Sequence, residues 1–252
     1  MHEDRIERHC SEIDRCNQRG GRMLSIIDLI EAGTFSPRLA AYALAAINGG
    51  ASFMVGANPG GAGKTTVMGA LLNFVPGDVE LFAAANADIM AEGLESPSPR
   101  RCYVCHEIGA GGWFAYLWGQ PLRDYFGLTD AGHMLATNLH ADTLEEAYDQ
   151  IVRRNGVPEA AFRRMSLAFF LRVRRVGFRA HRRIVGAWES DGSEPHRDVI
   201  DDLSLSRLVS PERFAGARRI IDSMLDGGAR TIRDVRRFVL AQEHSLNGRS
   251  PS

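Results

Sequence analysis

Lysine is almost absent from this chain. Of its 30 basic residues, 29 are arginine and only Lys64 is lysine. A background that supplies arginine everywhere else keeps lysine at one place, which marks a job for a compact ammonium on a flexible stem rather than a wide, planar guanidinium fork. Long apolar runs are missing too, and none approaches the roughly 18 residues that a membrane-spanning helix requires. With four cysteines in 252 residues, the chain is long enough to bury a core without disulfides. A charge excess is also lacking. The net charge of -1 argues against a protein built mainly around a nucleic-acid footprint, so no nucleic-acid partner is expected. Met1 to Cys16 is charged where a cleaved signal peptide would be apolar, so a cytoplasmic location is expected. Charge is nonetheless uneven: Arg153 to Arg183 holds ten arginines and one acid, Glu159, a stretch suited to phosphates, anionic lipid or an acidic partner.

What is present alternates between strand and helix signals. Met23 to Glu31 (MLSIIDLIE) has helical apolar spacing, and Ser36-Pro37 opens a second helix running to about Ile47. Ser52 to Val55 reads as a short apolar strand, followed by a glycine-rich loop and a helix from Thr65 to Phe74. Further strands are expected at Val79 to Ala85, Cys102 to Glu107 and His133 to Asn138. An antiparallel pair, Leu167 to Arg175 and His181 to Trp188, turns around Gly177. Asp142 and Glu145 read as a capping box for a helix over Thr143 to Arg154, and two helices, Pro211 to Leu225 and Thr231 to Gln242, finish the chain. The pattern gives an α/β fold in three parts: a flexible polar N-terminus over 1–22, a core over 23–190 and a small helical segment over 203–244. The aromatics Trp113, Phe114, Tyr116, Trp118, Tyr125 and Phe126 receive no assigned element; a helix packed on the sheet edge and a partner surface are both open, and most of these rings are expected inside.

The segment Gly56-Ala57-Asn58-Pro59-Gly60-Gly61-Ala62-Gly63-Lys64-Thr65-Thr66 ends as a P-loop does. Asn58 stands where the first glycine belongs, and asparagine tolerates positive φ better than most residues. Gly60, Gly61, Ala62 and Gly63 would turn backbone N–H groups toward phosphate oxygens, with Thr66 on the α-phosphate side. Lys64 would reach the β- and γ-phosphates, and Thr65 would set its hydroxyl on Mg²⁺. ATP with Mg²⁺ is the expected cofactor pair. Hydrolysis needs a carboxylate at the end of a neighbouring strand, and Glu107 is in that position as catalytic group and metal contact. His133, His140, Arg100 and Arg101 are candidates for neutralising the γ-phosphate. Cys102-Tyr103-Val104-Cys105-His106 also has the spacing of a haem attachment site, and four cysteines permit a zinc site, but buried thiols are the expectation in an apolar strand.

Gly132-His133-Met134-Leu135-Ala136-Thr137-Asn138-Leu139-His140-Ala141-Asp142 resembles the His box of the secretion and pilus traffic ATPases. Tyr103-Val104-Cys105-His106-Glu107-Ile108 is similar to their Walker B strand, Ser25 to Asn48 to their lead-in, and Leu171 to Glu189 to their late hairpin. The resemblance implies a RecA-like core over residues 23 to 190, assembled as a hexameric ring that turns over ATP beside a membrane-embedded secretion or pilus platform protein. It implies that Lys64 and Thr65 carry phosphate and Mg²⁺, that Glu107 activates water, and that His133 with His140 senses the γ-phosphate. Asn58 and His106 replace family glycines, Gly109-Ala110 replaces an Arg-Asp pair, and no glutamate stands near Ala85 and Asn86 where an acidic box belongs. Those departures leave a second reading open, a nucleotide-responsive assembly module that does not hydrolyse. A RecA-like nucleic-acid motor using the arginine-rich stretch is a third.

Overall fold

The computed structural model describes residues 2–17, 20–58, 60–177 and 179–246. The chain opens with α1, His2–Arg15. Ile6, Cys10 and Ile13 recur at helical spacing and are buried. That stripe docks α1 onto the core, where a frayed helix or loose polar lead-in was expected. α2, Ile26–Glu31, starts at a capping box in which Ser25 Oγ accepts the Asp28 N–H and the Asp28 carboxylate accepts the Ser25 N–H. α3, Pro37–Asn48, is capped by Ser36 with proline in its first turn.

The middle of the chain alternates: β1 (Phe53–Gly56), α4 (Lys64–Leu72), β2 (Glu80–Ala83), α5 (Ala87–Glu95), β3 (Arg101–Ile108), β4 (Tyr116–Leu117), α6 (Gln120–Gly127), β5 (Met134–Leu139), α7 (Leu144–Tyr148) and α8 (Glu159–Arg163). A π-helical turn, Asp149–Arg154, extends α7. The long strands β6 (Leu167–Val176) and β7 (Arg179–Glu189) and the short β8 (Arg197–Asp198) follow, then α9 (Pro211–Asp226) and α10 (Ile232–Leu246). α5 and α6 lie where no element was expected. Asn86 caps α5 by accepting the Ile89 N–H, and α6 buries Leu122, Tyr125 and Phe126. Trp113 and Phe114 are exposed instead.

The strands form one sheet in the order β2-β3-β5-β1-β6-β7-β8, with β4 pairing β3. From β2 through β6 neighbours are parallel, while β6-β7 and β7-β8 are antiparallel. This largely parallel sheet, with helices on both faces, is consistent with a P-loop ATPase core of the RecA-like kind. Alternation along β3 sends Cys102 and Val104 into one core, shared with α1 to α4, α9 and α10, and Tyr103 and Cys105 into another, shared with α5 to α8. α9 packs on α3 and α10 on α1, so the last two helices share the first core with the N-terminal helix. No helix among the described residues is long and apolar enough to cross a membrane.

Candidate functional site

β1 and β3 deliver their C-terminal ends to the same edge of the sheet, separated by β5 alone. In such parallel sheets the crevice beyond the strand ends is where ligands bind. β1 is buried throughout and ends at Gly56, where an added Cβ would lie 2.5 Å from the Ala141 carbonyl oxygen. Only glycine lets the loop after β5 approach so closely. The chain then turns through Gly61 at φ +85° and Gly63 at φ +108° into α4, whose first residue is Lys64. Asn58 has no positive φ, since Ala115 is the one such non-glycine among the described residues. Its N–H instead donates to Asp142 Oδ1 at 2.7 Å, so the loop is held by a carboxylate from the segment after β5. Asp142 is thereby withdrawn from the expected capping box. The helix cap is Thr143, whose hydroxyl accepts the Glu146 N–H, while Glu146 accepts the Asp142 N–H. Pro59 lies outside the described residues.

Lys64 is buried in the centre of this edge. Its ammonium donates to the Ala57 carbonyl and to His140 Nδ1, both at 3.3 Å, and lies 3.5 Å from Glu107 Oε2. Burial pulls the Lys64 pKa down and the Glu107 pKa up, while each is partly held back by the charge of the other. Glu107 Oε1 is buried with no hydrogen-bond partner among the described residues, 3.9 Å from His140 Nε2. Because Nδ1 accepts from Lys64, the neutral His140 ring carries its proton on Nε2, and 3.9 Å is too long for a direct bond to the carboxylate. Burial and the nearby ammonium lower the His140 pKa, which keeps that ring neutral. Glu107 owes its position to an irregularity in the β3-β5 ladder between Cys105 and Ile108, tied off by Asn138 Nδ2 donating to the His106 carbonyl at 3.0 Å.

Around these groups lies a cavity of about 530 Å³ lined by Gly60, Gly61, Gly63, Lys64, Thr65, Thr66, Glu107 and His140, with Tyr116, Met23, Leu24 and Arg182 in its walls. The space is that of a small-molecule site. Ala62 is buried and offers its carbonyl, which accepts Arg182 Nε–H at 2.8 Å. Arg182 was not singled out from the sequence as a site residue. Its signal was the late hairpin itself, whose β7 strand carries it over Gly63, where an added Cβ would meet its Cδ and Nε at 3.2 Å.

Three expected contacts are elsewhere. His133 precedes β5, at the opposite end of that strand from His140. Its Nδ1 accepts the Arg101 N–H, and its Nε2 donates toward the Gly93 and Ser96 carbonyls. Six strand residues separate the two rings, seven steps that rise roughly 23 Å, so His133 pins the start of β3 and the end of α5, away from the cavity. Arg100 donates to the Gly50 and Gly132 carbonyls, and Arg101 pairs with Glu92 and covers the Phe82 ring, both at the same distant edge. Cys102 and Cys105 face opposite cores, so they make no joint attachment site, and no cluster of metal-binding side chains occurs among the described residues.

No family model matches the chain, and no curated protein matches it in sequence. Among solved structures it overlaps the VirB11 ATPase from the Brucella suis type IV secretion system, in complex with sulphate, at a TM-score of 0.41 and 19% identity, covering 65% of this chain and 54% of that one. The chain therefore spans about half the length of that ATPase.

Proposed function

We propose that the chain binds ATP with Mg²⁺ at the β1-β3 edge and hydrolyses it, as a traffic-type motor subunit. The observation that carries this reading is the buried Lys64-Glu107 pair, 3.5 Å apart, at the ends of two parallel strands beside a glycine loop. The residues fit the ligand. Backbone N–H groups from Gly60 to Thr66, at the start of α4, suit an array of phosphate oxygens. Lys64 neutralises the β- and γ-phosphates, and Thr65 with Glu107 would hold Mg²⁺, which supplies further charge neutralisation when bound. Once Lys64 turned to the phosphates, Glu107 would be released from the one lysine or arginine paired with it among the described residues, leaving its carboxylate for the metal and for orienting water. His140, neutral and half exposed, donates its Nε2 proton toward the developing charge. The hexameric ring and the membrane platform partner belong to this reading through the His box and Walker B resemblance.

Titration with a fluorescent ATP analogue, followed by steady-state phosphate release, tests it. Lys64→Ala should abolish binding. Glu107→Gln should bind normally and lose about 10²-fold or more in turnover. Wild-type protein that binds ATP without releasing phosphate would favour the non-hydrolysing assembly module, and Lys64→Ala protein that binds as well as wild type would sink both readings.

A further inference from the structure

The β6-β7 ribbon has two faces of different character. Residues directly opposite in an antiparallel pair share a face, and alternate residues along a strand share it too. The pairs Arg172↔Arg183, Arg174↔His181 and Val176↔Arg179 therefore place Arg172, Arg174, Arg179, His181 and Arg183 on one side. The pair Val173↔Arg182 falls on the other, where Val173 packs against the core and Arg182 bonds the P-loop carbonyl of Ala62. The four arginines of the first side and His181 are exposed, and Val176 shares their side of the ribbon.

No described residue balances the arginines. Arg15, Arg22, Arg101, Arg153, Arg164 and Arg233, spread over the rest of the surface, each sit on a carboxylate. Among the described residues, Arg172, Arg174, Arg179 and Arg183 have no acidic neighbour within ion-pair distance, and Arg172 stands directly across from Arg183. Like charges opposed on a ribbon cost stability. Kept without compensation, they mark a surface completed by an anion from outside.

We infer that this face binds the phosphate backbone of double-stranded nucleic acid. A two-stranded β-ribbon fits the major groove, and guanidinium groups pair with phosphate oxygens in bidentate fashion. Alternate arginines recur about every 6.7 Å along the strand, a regular array that suits a regularly charged polymer better than the irregular acids of a protein surface. The net charge of -1, from which no nucleic-acid partner was expected, is a sum that hides this segregation: outside Arg153 to Arg183 the chain carries 30 acids against 20 basic residues.

Anisotropy of a fluorescein-labelled DNA duplex of mixed sequence, titrated with the full chain at several salt concentrations, tests the inference without reference to nucleotide. Four arginine-phosphate contacts predict a slope of about -3.6 in log affinity against log salt, or roughly 150-fold weaker binding at about 200 mM than at about 50 mM. The triple variant R172A/R174A/R183A should bring the slope toward about -0.9, and R172K/R174K/R183K should keep it near the wild-type value. A denaturation midpoint in the alanine variant no lower than that of the wild type guards against misfolding as the cause. No duplex binding at low salt, or a wild-type slope in the triple alanine variant, overturns the inference. So does a ribbon-dependent loss of phosphatidylserine-vesicle binding or of self-association in protein that does not bind the duplex. The Lys64→Ala titration reports on the nucleotide site alone, so either proposal fails independently.

Discussion

His133 and His140 stand at opposite ends of β5, and their environments assign them different work. His133 is buried and spends both ring nitrogens on the backbone, whereas His140 opens on the cavity and touches Lys64. His133→Ala should therefore destabilise the protein by about 1–2 kcal/mol, through unsatisfied groups around Arg101 and Gly93, and leave turnover per folded molecule unchanged. His140→Ala should cut turnover with little change in stability. Chemical denaturation paired with phosphate release separates the two, and a His133 variant that folds normally but loses turnover would restore it to the site. Arg182 makes a further residue-scale case, because it braces the loop at Ala62 from β7. Arg182→Ala should weaken nucleotide binding by roughly tenfold, as one charge-assisted hydrogen bond implies, while Lys64→Ala removes it altogether. Equal losses from the two variants would mean that Arg182 contributes more than bracing.

At the scale of elements, β3 shows what a sequence pattern can and cannot carry. Its apolar run and terminal Glu107 mark a buried strand with a working carboxylate, and the strand occurs with Glu107 at its end. The same run contains Cys102 and Cys105, whose three-residue spacing looks like a motif until alternation turns one into each core. Desolvation lifts both thiol pKa values to about 12, and those of Cys10 and Cys16 to about 11 and about 12. Native protein at pH 8 should thus react with none of its four thiols on the timescale on which denatured protein reacts with all four; rapid labelling of Cys102 or Cys105 in the native state would contradict this placement. β1, β5, β6 and β7 were legible because buried apolar runs ended in clear turn residues, and α3 and α9 because Ser-Pro marks a helix start. α5 was not, since it buries only Met90 and Gly93 and leaves Leu94 exposed, too short an apolar stripe to mark a helix face. The docking of α1 was missed because 14 mostly charged residues conceal a stripe of four buried side chains, Ile6, His9, Cys10 and Ile13. The Lys64-Glu107 pair was readable from motif spacing, whereas Asp142 on the loop and Arg182 above it depend on chain crossings that only the folded sheet creates.

Across the whole molecule, histidine burial sets how stability responds to acid. His9 is buried between α1 and α4 with Nε2 at 3.1 Å from the Leu72 carbonyl oxygen, and desolvation, with Arg236 nearby, holds its pKa well below the usual histidine value. His196 is buried against the Met165 carbonyl, and its pKa too is lowered by desolvation. A histidine whose folded pKa is depressed binds more protons unfolded than folded once the pH drops below its unfolded value of about 6.5. Its contribution to stability is intact above that pH and is lost progressively below it. Each histidine that stays neutral in the fold therefore costs up to about 1.4 kcal/mol per pH unit between about pH 6.5 and its folded pKa. The paired acids act lower down: the Glu189 carboxylate accepts from Tyr42, Ser206, Arg197 and the Arg207 N–H and is held below the usual carboxylate range, so its loss begins only as the pH approaches the ordinary glutamate value. Urea midpoints should accordingly hold steady above about pH 7, then fall between about pH 6.5 and 5.5, before carboxylates titrate. H9Q/H196Q, which removes both protonation sites and keeps a side-chain N–H donor at each, should flatten that first fall while leaving the acid limb in place. A first fall of undiminished slope in the double variant would move the acid sensitivity away from these two rings and toward His106 on β3 and His140 at the cavity, whose pKa values burial also lowers.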